Sequence, residues 1–264
     1  MFLQIVGGVL AAMLVVMVAA WAFGLQVKNG GWTDVFWTWG TGAILAAAAL
    51  LGAGDLDSWR DWVVPGIVGL WTVRLGAYLT PRVATHPEDA RYAAFRAGDP
   101  KGYPLKMLFV TLPQAVATAL LATSVVAAAM YPPGLDLRYG LAMALAAFSI
   151  GLEAVADAQM KRFRGDPANK GKVMDKGLWA WSRHPNYFFQ WLGWMAYPVM
   201  ALDPSRPVSF LTLVAPAVMY GLLRYVSGVP PLEEAMLKSR GDKFRDYQKR
   251  VGVFFPLPPK RVPA

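Results

Sequence analysis

The sequence lacks cysteine and has little histidine: its 264 residues include no Cys and two His, His86 and His184. The first absence excludes disulfides, thiolate catalysis and Cys-ligated metals. Two histidines do not suffice for a His-rich metal or haem site, so we predict no bound metal. No Gly-x-Gly-x-x-Gly motif follows a predicted strand, so a Rossmann nucleotide site is not indicated.

Charged residues are also few, at 16% of the chain, whereas 56% are hydrophobic. A soluble domain typically has about a quarter charged residues. The apolar residues form runs of about 20, the length that crosses a bilayer core. We therefore predict a single, all-α integral membrane domain over 1–264 with seven transmembrane helices, at about 3–25, 35–53, 62–80, 106–130, 138–160, 187–202 and 208–226.

The basic residues indicate the orientation. If the loops alternate sides, 22 of the 26 Lys and Arg residues lie on one side and three on the other. The positive-inside rule then predicts an outside amino terminus and a cytoplasmic carboxyl terminus. The net charge of +9 therefore reports topology, and we predict membrane lipids rather than nucleic acid as partners. After the last span, an amphipathic helix is expected over 232–247.

A polar element between the predicted fifth and sixth spans is the most informative part of the chain. It contains Arg183, His184, Asn186 and Tyr187 within five residues. Such groups are costly near a bilayer unless something polar requires them, and an anionic cofactor at the membrane surface fits. The alternative is a juxtamembrane anchor at headgroup level.

The fifth span ends with charged residues at helical spacing. Glu153, Asp157, Lys161 and Arg164 follow at intervals of four, four and three, on one helical face. They predict either a site wall, with the acids on ribose hydroxyls and Arg164 on phosphate, or an internal ion pair between Asp157 and Lys161. Lys172 belongs to the basic loop that follows, which suits phosphates or lipid headgroups.

Further candidates lie near the carboxyl terminus. Arg224 ends the last predicted span, and Glu233 and Tyr247 follow it. They predict a cap over a cofactor or, alternatively, an ordinary solvated helix with mixed charges.

The amino-terminal half has a second polar cluster, for which we predict a catalytic role. It contains Asp34, Arg74 and Tyr78. Trp37 and Trp71 nearby, with Gln190 in the sixth span, are predicted to bind a flat hydrophobic substrate. A buried structural ion pair between Asp34 and Arg74, and interhelical packing by Gln190, are the alternatives.

Several of these residues belong to motifs that resemble those of a known family. The runs Glu153–Asp157, Gln159–Phe163, Gly177–Trp179, Ser182–Tyr187 and Val226–Pro230 resemble bacterial membrane proteins of unknown function, DUF1295, which are related to the carboxyl-terminal domain of steroid 5α-reductases. The resemblance covers most of the chain and is strongest over 140–256. Sterol reductases and isoprenylcysteine carboxyl methyltransferases carry similar Arg-His-Pro-Asn-Tyr elements.

The resemblance implies NADPH as cofactor and reduction of an activated carbon–carbon double bond. By similarity, Asp157 lies at the nucleotide, Arg164 and Lys172 lie near the phosphates, Asn186 holds the nicotinamide carboxamide, and Arg224 matches an arginine at the end of the last span. Helices of 1–130 would then serve the substrate and 138–264 the cofactor. The Gln-Glu pair of the steroid enzymes has no counterpart here, and Trp71 stands near their tyrosine position, so a 3-oxo-steroid is not indicated.

Three functions are in competition. An NADPH-dependent reductase of a hydrophobic enone leads, because the many cations of 161–176 suit a nucleotide phosphate. An S-adenosylmethionine-dependent membrane methyltransferase is the alternative, and a non-enzymatic lipid-binding or scaffolding protein is the third. For each, the expected location is the bacterial inner membrane.

Overall fold

The computed structural model describes residues 1–88, 90–131 and 134–260, and residues 90 and 91 are described by their backbone alone. Within these ranges the chain is helical and has no β-strand. Among the described residues, six segments are long and apolar enough to cross a membrane. They are Phe2–Gln26, Trp32–Ala53, Trp59–Thr85, Tyr103–Met130, Asp136–Gly165 and Pro207–Arg240. The prediction of an all-α, multi-pass membrane protein is therefore confirmed.

The sixth predicted span, 187–202, is divided. It consists of α8 (Pro185–Trp194) and α9 (Ala196–Ala201), helices of 10 and 6 residues. Each is too short to cross a bilayer alone, since a crossing needs about 20 residues. The count of seven spans and the orientation of the termini thus stay predictions.

The chain folds as two compact units, one of residues 1–143 and 197–215 and one of 144–196 and 216–264. The first unit is built on α1 (Phe2–Gln26), α2 (Trp32–Ala53), α3 (Val63–Thr85), α4 (Ala90–Gly98), α5 (Tyr103–Thr111) and α6 (Pro113–Met130). The predicted division into a substrate part, 1–130, and a cofactor part, 138–264, stays a prediction. The segment 197–215 belongs to the first unit although it follows the predicted boundary.

Small residues allow the helices of the first unit to approach closely. A Cβ at Gly42 of α2 would overlap the side chain of Thr72 on α3, and one at Gly76 would overlap Trp39. Buried threonines add hydrogen bonds, such as the 3.0 Å contact between Thr41 Oγ1 and Thr118 Oγ1. Close backbone packing and polar contacts of this kind hold helices together in lipid. The hydrophobic effect does not do so there, because the lipid tails are as apolar as the helix side chains.

The second unit contains most of α7 (Asp136–Gly165), then α8, the end of α10 (Val214–Gly221), a π-helical turn at Leu222–Val226, α11 (Val229–Arg240) and α12 (Asp242–Arg250). The prediction of one helix over 232–247 was wrong. Gly241 separates α11 from α12 with φ of 54°, a left-handed conformation that favours glycine.

Candidate functional site

The polar face of α7 is the first wall of the site. Ser149, Glu153 and Asp157 lie one turn apart on that helix, and all three are buried, Asp157 being 7% exposed. Two buried carboxylates on an apolar helix require polar neighbours, because isolated charges are strongly disfavoured away from water. The acids predicted from the sequence are therefore inside the second unit rather than on its surface.

Asn186 of α8 faces this wall. Its Nδ2 donates to Asp157 Oδ1 at 3.2 Å, which orients the amide, because a carboxylate can only accept. Asn186 Oδ1 is buried and accepts no hydrogen bond from the described part of the chain. A buried acceptor in this state is suited to a donor supplied by a ligand. Asp157 thus contacts Asn186, and its alternative ion pair with Lys161 stays a prediction.

The turn before α8 positions Arg183 and His184. His184 is the N-cap residue of α8, and Pro185 occupies the first helical position, where its missing N–H costs nothing. Ser182 is fully buried, accepts a bond from the His184 backbone N–H at 3.1 Å, and donates to the Phe254 carbonyl at 2.7 Å. The turn is therefore fixed from both sides.

Glu233 of α11 joins three side chains. Its Oε1 accepts from Arg183 Nε at 2.7 Å and lies 3.1 Å from His184 Nε2. Its Oε2 accepts from Arg183 Nη2 at 3.2 Å and from Gln248 Nε2 at 2.7 Å. Arg183 Nη1 also donates to the carbonyls of Gln248 and Val251. The predicted cofactor contacts Arg183 and Glu233 are thus engaged with each other and with α12.

The imidazole of His184 lies almost parallel to the ring of Tyr187. Its ring stacks on Tyr187 with 5.5 Å between centroids and 7° between planes. Burial lowers the pKa of the imidazole below its usual value, and this outweighs the opposing effect of Glu233. The ring is therefore neutral at neutral pH.

Tyr247 belongs to a small apolar core with Phe244 and Val251. Its hydroxyl donates to the Trp179 carbonyl at 2.5 Å, and burial raises the pKa of the phenol. These contacts join α12 to the 3₁₀ turn at Gly177–Ala180. They give Tyr247 a structural position, and its predicted contact with a cofactor has no support from them.

The remaining basic candidates are more accessible. Arg164 and Lys172 are exposed near the end of α7 and in the loop that follows. Arg224 is half-buried on the π-helical turn, with its guanidinium carbon 4.9 Å from the centre of the Tyr225 ring. Such turns occur frequently at functional sites. The sequence placed Arg224 at the end of a span but carried no signal for the turn.

The other predicted catalytic and substrate residues lie in the first unit, apart from Gln190. The guanidinium of Arg74 lies 5.7 Å from the centre of the Tyr78 ring. Trp37 and Trp71 meet edge to face at 6.0 Å. Asp34 is half-buried near the start of α2. Gln190 is one turn after Asn186 on α8, in the second unit.

Sequence reasoning missed one ionic cluster in the first unit. Glu88 accepts from the Gly30 backbone N–H at 2.7 Å, from Arg96 Nη2 at 2.9 Å and from Tyr103 Oη at 3.0 Å. Arg96 also lies over the Tyr103 ring at 4.2 Å. The spacing of 15 residues between Glu88 and Tyr103 fits no regular element, so no local pattern indicated this contact.

The fold is that of a multi-pass helical membrane protein, and its second unit contains a cluster of buried polar residues. Residues 20–251 match the family described as "Protein of unknown function (DUF1295)", and the chain belongs to this family. An uncharacterized protein of Schizosaccharomyces pombe, C594.04c, is 27% identical over 263 residues, covering 89% of this chain and 75% of its own length. No solved structure matches the chain.

Proposed function

We propose that the protein is an NADPH-dependent membrane oxidoreductase that reduces the activated C=C bond of a hydrophobic, steroid- or lipid-like enone. Its second unit would bind the cofactor. The resemblance of Ser182–Tyr187 to the steroid 5α-reductase element suggests hydride chemistry, and the geometry of Asn186 supports a carboxamide-binding role.

The observation that carries the proposal is the buried, unused acceptor of Asn186. The hydrogen bond from Asn186 Nδ2 to Asp157 fixes the orientation of the amide. Asn186 Oδ1 takes no part in that bond. A nicotinamide carboxamide has an N–H₂ donor and a carbonyl acceptor, and its donor suits Asn186 Oδ1. The residues present therefore fit the cofactor at this position.

The charges near the end of α7 suit the rest of the nucleotide. Arg164 and Lys172 are accessible cations that can bind phosphate oxygens, arginine in a bidentate manner. Asp157 and Glu153 are acceptors for ribose hydroxyls. The dense basic loop favours the additional phosphate of NADPH over NADH.

When bound, NADPH supplies the hydride that the β-carbon of the enone receives. A polar group near Asp34, Arg74 or Tyr78 would polarise the carbonyl, and Arg74 or Tyr78 could do so by donating a hydrogen bond to its oxygen. This stabilises the enolate charge that develops before the α-carbon is protonated. Trp37 and Trp71 would contact the hydrophobic substrate.

A second candidate is an S-adenosylmethionine-dependent methyltransferase resembling isoprenylcysteine carboxyl methyltransferase. The buried carboxylates Glu153 and Asp157 favour it, because they suit a sulfonium cation. The exposed cations of the adjoining loop favour the phosphates of a nucleotide instead. Either enzyme would work in a membrane, and we propose the bacterial inner membrane with the carboxyl terminus in the cytoplasm.

The test is thermal stability of the detergent-purified protein with NADPH, NADH or S-adenosylmethionine, each in excess. A ligand at 100 times its Kd adds about 2.7 kcal/mol. We expect stabilisation by NADPH, lost in Asn186→Leu and reduced in Lys172→Ala. The matched control Lys243→Ala removes another exposed lysine and should behave as wild type. Stabilisation by S-adenosylmethionine alone would transfer the assignment to methyl transfer, and no response to any ligand would reject both.

A further inference from the structure

The acceptor capacity of Glu233 is filled within the protein. A carboxylate has about four lone-pair positions, two on each oxygen. Oε1 is contacted by Arg183 and His184, and Oε2 by Arg183 and Gln248. Its side chain is 14% exposed. Glu233 is therefore not available to bind a ribose or amide group directly.

The same contacts determine the tautomer of His184. Arg183 already balances the charge of Glu233 through two bonds, so the histidine is not needed as a cation. A carboxylate has no proton to donate, and a neutral His184 must therefore donate from Nε2. Covalent geometry then leaves Nδ1 as an acceptor directed away from Glu233.

The His184 ring is held in one orientation, so its two nitrogens keep their roles of donor and acceptor. Tyr187 covers one face of it, and Ser182 fixes the backbone N–H of the same residue. His184 is 8% exposed. The arrangement resembles that of metal-binding histidines whose second ring nitrogen donates to a carboxylate. In both, the partner of one ring nitrogen determines whether the other nitrogen donates or accepts.

We propose that Glu233 is a positioning residue that holds His184 as the Nε2–H tautomer, so that Nδ1 accepts a hydrogen bond from a hydroxyl or amide donor of the bound nucleotide. The ligand part of this inference rests on the proposed function. The tautomer part does not, because it follows from protein contacts alone.

The tautomer is measured first, by ¹⁵N NMR of histidine-labelled protein at pH 7. The chain has two histidines, so His86→Asn, an exposed substitution, leaves His184 as the single labelled ring. We expect a pyrrole-type signal from Nε2 and a pyridine-type signal from Nδ1, assigned by their couplings to the ring protons. A proton on Nδ1, or on both nitrogens, would overturn the inference.

The nucleotide arm compares His184→Gln, Glu233→Gln and the double variant. Glutamine can place its amide near Nε2 and keep a donor to Glu233, but it has no counterpart of Nδ1. We expect each single variant to lose at least tenfold in NADPH affinity and the double variant to lose no more, because Glu233 acts through His184. Additive losses would show direct contact by Glu233 and reject the proposal.

The matched control is Glu234→Gln, which alters the neighbouring glutamate, an exposed partner of Lys238. Its affinity should equal that of the wild type. If Glu233→Gln does not fold, the NMR result and His184→Gln still decide the matter, since wild-type affinity in His184→Gln contradicts the role of Nδ1. If wild type binds no NADPH, the proposed function and the ligand role both fail, while the NMR arm judges the tautomer separately.

Discussion

Arg183 and Glu233 form a two-point ion pair across 50 residues of sequence, with Nε to Oε1 at 2.7 Å and Nη2 to Oε2 at 3.2 Å. Both side chains are largely buried, at 12% and 14% exposure. The pair connects the turn before α8 with α11, and the Arg183 bonds to backbone carbonyls add the end of α12. One arginine therefore joins three segments of the second unit.

Arg183→Lys should destabilise the protein strongly. Lysine keeps the charge but cannot reach two carboxylate oxygens and the Val251 carbonyl together. Breaking a buried pair costs about 3–5 kcal/mol, and we expect a loss near the lower value in a denaturant titration in detergent. Arg245→Lys is the control, because its pair with Asp242 is exposed and should change stability by less than about 1 kcal/mol. Equal effects of the two substitutions would contradict this role.

His184 should make stability dependent on pH. Burial lowers its folded pKa below the ordinary 6.5, so the unfolded chain binds the proton more readily. Its contribution is complete above pH 6.5 and is lost as the pH falls from there toward the folded pKa. The slope should not exceed about 1.4 kcal/mol per pH unit. Unfolding measured from pH 7.5 to 5 should show this slope in wild type and a smaller one in His184→Gln. An unchanged slope in the variant would assign it to another group.

The sequence was a good guide to the spans because they are governed by local hydropathy. The first was expected at 3–25 and lies at Phe2–Gln26, and the fifth was expected at 138–160 and lies at Asp136–Gly165. The sixth was less predictable, because a helix that ends at Trp194 and restarts at Ala196 has no signature in apolar content. The break at Gly241 depends on its backbone conformation, which composition does not specify.

The sequence was a better guide to which residues belong to the candidate site than to the role of each. Unusual polar residues beside apolar runs indicated Asp157, His184 and Asn186, and all three lie in the second unit. Which of them contact each other depends on long-range geometry, such as the 29 residues between Asp157 and Asn186. Glu233 was assigned to the cofactor for the same reason: nothing local shows that its oxygens are already occupied.

Glu88 should stabilise the first unit. Its contacts with Arg96, Gly30 and Tyr103 lower the pKa of its carboxyl below the ordinary value, although desolvation by burial, the largest single effect, acts the other way. Glu88→Gln keeps one acceptor for the Gly30 N–H but loses the charge, so we expect about 1–3 kcal/mol of destabilisation. Asp246→Asn is the control, since its pair with Lys249 is exposed. A loss no larger than that of the control would show that the cluster is not stabilising.

The lowered pKa of Glu88 should also make the stability of the protein depend on pH. Because the folded pKa is depressed, its stabilisation is present above the ordinary pKa of 4.5 and is lost as the pH falls below it. This window opens at a lower pH than that of His184, which opens at 6.5. As the pH is lowered from 5, the wild type should therefore lose stability more steeply than Glu88→Gln. Parallel curves for the two proteins would rule out this linkage.

Two neighbouring phenylalanines test how the carboxyl-terminal segment is held. Phe254 is 1% exposed and Phe255 is 45% exposed, although they are adjacent. The Phe254 ring lies 5.2 Å from Tyr220 and 6.0 Å from both Phe188 and Trp191. Phe254→Ala should cost about 3–5 kcal/mol, because it leaves a cavity inside this aromatic cluster. Phe255→Ala should cost about 1 kcal/mol, since much of that ring is already outside the protein.

Denaturant titration of the two variants in detergent measures this difference. The Phe254 carbonyl accepts from Ser182, which in turn accepts from the His184 N–H, so Phe254→Ala should also loosen the turn before α8. We therefore expect limited proteolysis to cleave near 181–184 faster in Phe254→Ala than in Phe255→Ala. Equal stability and equal cleavage would mean that the segment is held by its backbone bonds, such as Leu257 N–H to the Trp181 carbonyl at 3.0 Å, rather than by the buried ring.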